Sequence, residues 1–173
     1  MECNVYKTVN DRVIITIVVS FREMQQKIKE ESSHFAIRQK DKEGKSLFEE
    51  FVLDEGYETK FRSYFSSAQG ELTEYLSAYL KNMPATSEVF DTAVDDDWVV
   101  QLPMPASFNE SLSRAIAIKI ENFIESYIMY LWLATKDMEK AEVYLAQSMK
   151  FKEAINSNLN KRSGSITRPT GYW

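Results

Sequence analysis

One cysteine and one histidine are all that this sequence offers to thiolate and imidazole chemistry. The lone Cys3 forms no intrachain disulfide and no thiol cluster for a metal, which fits a reducing compartment. Five glycines are present, none in a Gly-x-Gly or Gly-Lys-Ser/Thr arrangement, so no loop that cradles phosphate is expected. Long hydrophobic runs are missing too. Residues 13–19 are too few to span a bilayer, and the greasy stretch 115–134 is interrupted by Lys119, Glu121, Asn122 and Glu125. The first residues lack the basic-then-apolar order of a secretory signal. The expectation is a soluble chain with no membrane contact.

Outside the C-terminal stretch acidic residues outnumber basic ones. The formal net charge is -5, and Lys161, Arg162 and Arg168 give the last fourteen residues +3, leaving -8 for residues 1–159. An acidic body opposes nonspecific contact with phosphate backbones, so nucleic acid is not an expected partner. What the chain does have is aromatic surface: ten Phe, nine Tyr and three Trp, ample to fill one core in 173 residues.

The pattern predicts a mainly α fold, a bundle of about four long helices plus one short one, with a small β ribbon. Residues 13–19 are dominated by β-branched side chains and read as a strand. A first helix is expected over 21–38, opened by a Ser20/Glu23 capping box, with Phe21, Met24, Ile28, Phe35 and Ala36 inward. A second box, Ser46/Glu49, opens a short helix ending near Gly56. Tyr57, Phe61, Tyr64, Phe65, Ala68, Leu72, Tyr75, Leu76 and Tyr79 trace one stripe of a long third helix. Residues 98–102 form the second strand of a two-stranded ribbon, its direction left open.

Ser107/Glu110, or Asn109 instead, caps a fourth helix. It runs through Leu112, Ile116, Ile120, Phe123, Ile124, Tyr127, Leu131 and Trp132, and its apolar surface is wide enough to make it central. A fifth follows a short link at 134–137 and turns Met138, Ala141, Leu145, Met149, Ile155 and Leu159 inward, a stripe interrupted by Ser148 and Lys152. Antiparallel packing of the last two helices follows from that short link. Residues 1–160 read as one helical domain and 161–173 as an extended basic and aromatic C-terminal arm.

The sequence presents few candidates for catalysis. Glu31 and His34 match the Glu-x-x-His element of bundle metal sites, but the second copy is missing, so no metal or other cofactor is expected. The cluster Asp91, Asp95, Asp96 and Asp97 lacks the spacing of a calcium loop and reads as a solvated turn. A single histidine gives no nucleophile–base pairing, and the chain reads as a non-enzyme. The candidate partner-binding residues lie in the arm: Ile166, Tyr172 and Trp173 as anchors in a neighbour's groove, and Arg168 against an acidic rim.

A resemblance rests on the order of elements and on several local strings. These are the strand leading into Pro105 and Phe108-Asn109-Glu110, the helix from Ile120 through Glu125 to Ile128, Trp132-Leu133, the string from Ala141 to Leu145, and Arg168-Pro169-Thr170. In these the chain resembles small helical structural proteins of phages and prophages of gut bacteria, with a longer apolar run at 13–19 than that group shows. The resemblance implies a virion component of the head-to-tail connector or neck. Its expected partners are itself, as a homo-oligomer, or other assembly proteins, and its location is the host cytoplasm or the virion. The alternative is an adaptor or regulatory bundle that binds a single host protein.

Overall fold

A computed structural model describes residues 2–7, 13–40, 43–80 and 97–162. The order of elements is β1 (Glu2–Lys7), β2 (Val13–Val19), α1 (Phe21–Ala36), α2 (Phe48–Phe51), α3 (Glu58–Leu80), β3 (Trp98–Met104), α4 (Ser113–Leu133) and α5 (Met138–Leu159). The fold is mainly helical, as the periodicity predicts. The expected two-stranded ribbon, however, is a three-stranded antiparallel sheet with β2 in the middle. In β1, Cys3 and Val5 pack toward the core, a pair of alternating residues too short to announce a strand in the sequence.

In register, Glu2 lies opposite Val18 and Lys7 opposite Val13, while Val13 faces Met104 and Val19 faces Trp98 across the other ladder. β3 continues through Pro103, where the sequence suggested a stop. An edge strand tolerates the missing N–H, because that side of the chain has no ladder to complete. Val13, Ile15, Ile17 and Val19 join Val100, Leu102 and Met104 in the core.

The central helix is α4. It packs along α5 and also meets α1, α3 and the sheet, which is why Ile116, Ile120, Phe123, Ile124, Ile128 and Trp132 are all buried. The stripe of α3 divides by depth: Phe61, Phe65, Ala68, Leu72 and Leu76 are buried, while Tyr64, Tyr75 and Tyr79 are half-buried at its margins. Tyr57 belongs to a single 3-10 turn, Glu55–Tyr57, that leads into α3. Phe21 stands edge-on to Phe61 and Phe65, with centroids 5.0 and 5.3 Å away, and locks the start of α1 against α3. Among the described residues no helix is long and apolar enough to cross a membrane.

Helix starts depart most from the sequence pattern. Ser20 occupies the N-cap position of α1, but its hydroxyl makes no capping bond. The Phe21 amide instead donates to Asp97 Oδ1 at 3.0 Å, from the residue just before β3. α2 is a four-residue helix whose Phe48 amide donates to Ser46 Oγ at 3.3 Å, and it stops at Phe51 rather than near Gly56. Asn109 caps a 3-10 turn, Glu110–Leu112, by accepting from the Ser111 amide, and α4 begins only after it. Asp137 caps α5 through the Lys140 amide.

Candidate functional site

The C-terminal half of α1 and the N-terminal half of α5 leave between them an open cleft of about 660 Å³. Phe35, Ile37 and Val143 provide its apolar lining, while Arg38 and Lys140 place cations around it and His34 adds an imidazole. Glu31 lies in the lining as well, where its carboxylate accepts a 2.6 Å bond from the Tyr144 hydroxyl. Burial pushes the Tyr144 phenol well above its ordinary range, and the bond to Glu31 and the charges of Glu31 and Glu125 push it further.

This bond ends a polar seam that runs among α1, α4 and α5. Lys27 Nζ donates to Glu121 Oε1 at 2.6 Å, with the Glu121 side chain only 10% exposed. Glu125, one turn on, is half-buried, and its pKa is raised by burial first; Glu31 and Glu121 add to the rise and Lys27 opposes it. The seam therefore holds three carboxylates against one ammonium. Glu31 is committed to a phenol and His34 is exposed at the rim. Among the described residues no three His, Cys, Asp or Glu side chains converge as metal ligands would.

The orientation of α5 corrects the predicted inner stripe. Ala141, Ser148, Ile155 and Leu159 face the core, Leu145 is half-buried, and Met138 and Met149 are 59% and 47% exposed. Small residues at 141 and 148 bring α5 close to α4, an arrangement a bulky methionine at the contact would prevent. Ser148 tolerates burial because its hydroxyl donates to the Leu145 carbonyl at 2.7 Å within its own helix. Lys152 likewise belongs to the contact side: its ammonium pairs with Glu71 and sits 4.7 Å from the Tyr75 ring centroid, tying α5 to α3.

A second cluster lies at the turn joining α4 to α5, and no motif in the sequence announced it. Lys136 Nζ stands 3.3 Å from the centroid of the Trp132 ring, with the Phe51 and Tyr57 rings 5.6 and 5.9 Å away. The ammonium donates to the Glu50 carbonyl, and Trp132 Nε1 donates to the Phe51 carbonyl at 2.8 Å. Lys60 adds a second cation over the Tyr57 and Trp132 rings.

Of the residues singled out as partner-binding, Ile166, Arg168, Tyr172 and Trp173 all lie outside the described residues, as do Asp91, Asp95 and Asp96. The described start of the arm is tied to the body, with Arg162 bridging Phe108 and donating to the Leu159 carbonyl. Asp97 acts as the cap of α1. No protein-family model, curated protein or solved structure matches this chain.

Proposed function

We propose that this chain is a non-enzymatic binding protein that works through protein–protein contacts, and that its setting is the phage head-to-tail connector or neck that the sequence resemblance implies. The outer face of α5 carries this reading. After its small residues have settled on α4, the helix still presents Met138 and Met149 on one flank, and Val143 on another, where it and Ile37, 64% exposed at the end of α1, line the cleft. Methionine is unbranched and polarizable, and it adapts its shape to a partner surface. At the cleft, Ile37 and Val143 rimmed by Arg38 and Lys140 suit a partner with an apolar ridge and acidic flanks.

In this reading the partner is a second copy of the chain or another assembly protein, and the arm with Ile166, Arg168, Tyr172 and Trp173 adds to the grip. Light scattering tests it on the native chain, on a Met138→Glu, Met149→Glu double variant, and on a chain truncated after Arg162. The native protein is expected to be oligomeric and both altered forms to lose association at unchanged helicity. A native chain that stays monomeric at high concentration would refute self-association, and unchanged association after truncation would remove the arm from the contact.

A further inference from the structure

We propose that Lys136, in the turn between α4 and α5, is a modification site: an amine that accepts an acyl group from an anionic activated carboxylic acid, of which acetyl phosphate is the simplest probe. The lone pair of the neutral amine attacks the acyl carbon, and the new C–N bond forms as the C–O bond to phosphate breaks. Inorganic phosphate leaves with the bonding pair, and one nitrogen-bound proton passes to solvent. No electron donor or acceptor is required.

The geometry supplies what such a step needs. The side chain is half-buried, so a small donor can reach it, yet Trp132, Phe51 and Tyr57 replace much of the water that would otherwise hold the ammonium charged. The Glu50 carbonyl accepts one N–H and fixes the nitrogen in place. Lys60, over two of the same rings, is a second cation that repels the ammonium form and attracts an anionic donor. A lysine desolvated beside another cation is a recognised form of activated amine.

Burial pushes Lys136 down to about 8; Glu50 pulls it back and Lys60 reinforces the fall. The ring faces favour the charged form and act on the side of Glu50. With a pKa near that value, roughly a quarter of the amine is neutral at about pH 7.5, against about 0.1% for an ordinary lysine. Basicity lost is also nucleophilicity lost, so the rate gain is smaller than that ratio. After transfer, the planar amide can lie on the Trp132 ring, and the repulsion from Lys60 is gone.

The test uses the full chain and acetyl phosphate at about pH 7.5, with acetylation at each lysine followed by peptide mass mapping. Lys136 is expected to react at least about tenfold faster than Lys140, which is exposed on the following helix. A Lys136 rate equal to or below that of Lys140 would overturn the proposal. In the native chain, raising the ionic strength should slow the acetyl phosphate reaction at Lys136 more than the reaction with neutral succinimidyl acetate. Lys60→Gln should do the same, and equal slowing of both reagents would overturn the choice of an anionic donor.

Discussion

Replacing Asp97 by alanine should destabilise the protein more than replacing Ser20, although the sequence pattern around α1 implies the reverse. Ser20 sits at the N-cap with Glu23 three residues on, and Ser→Ala at a working N-cap costs about 1 kcal/mol. Here the Ser20 hydroxyl makes no capping bond, so Ser20→Ala should cost no more than about 0.5 kcal/mol, the range of a surface change. The bond that closes the first turn of α1 comes from Asp97, whose Oδ1 lies 3.0 Å from the Phe21 nitrogen in a partly buried site.

Its removal takes away a hydrogen bond to a charged acceptor, worth about 1.5–3 kcal/mol, together with an anion at the positive end of α1. It also cuts a tie between the start of β3 and the start of α1, placed next to the Phe21 ring contacts. Asp97→Ala should therefore cost about 2 kcal/mol, or roughly 4–8 °C in Tm for a chain of this size. Asp97→Asn keeps an acceptor oxygen without the charge and should recover about half of the loss. Urea unfolding followed by circular dichroism gives the midpoints, with unchanged m-values confirming a shift in stability alone. If Ser20→Ala proves as costly as Asp97→Ala, the helix is capped locally and the reasoning fails.

Two further substitutions probe the interior. Glu125→Gln should raise stability at neutral pH: the native state holds the Glu125 proton above the usual carboxylate range, so in the wild type this group's contribution is full below about 4.5 and declines as pH rises through the raised value. The advantage of the variant, read from Tm against pH, should vanish in acid; an advantage independent of pH would mean that packing and not charge is responsible. Trp132→Phe keeps most of the buried ring but leaves the Phe51 carbonyl without its donor, for a loss of about 1–3 kcal/mol in urea unfolding. A loss below about 0.5 kcal/mol would show that water replaces the indole there.

Helical content and the central place of α4 were legible in the sequence because they rest on periodicity, which is local. A helix apolar on several sides, such as the run from Ile116 to Trp132, must be covered on several sides. On α5 the same logic placed Ala141, Ile155 and Leu159 inward correctly but added Met138 and Met149, since a stripe containing them looks more apolar than one containing Ser148. The inner face combines the small Ala141 and Ser148 with Ile155 and Leu159. The exposed methionines of α5 were thus hidden within a correctly predicted helix.

Only the tertiary structure decided the pairings across large sequence separations. Asp97 caps a helix that begins seventy-six residues earlier, Tyr144 reaches Glu31, and Lys136 finds its aromatic walls on the segments around α2 as well as on α4. Periodicity specifies which side of an element avoids water, but it carries no information about which distant group meets a given amide, phenol or amine. Those partners are set by where packing leaves each backbone, and the cleft and the lysine cluster exist only after that step is complete.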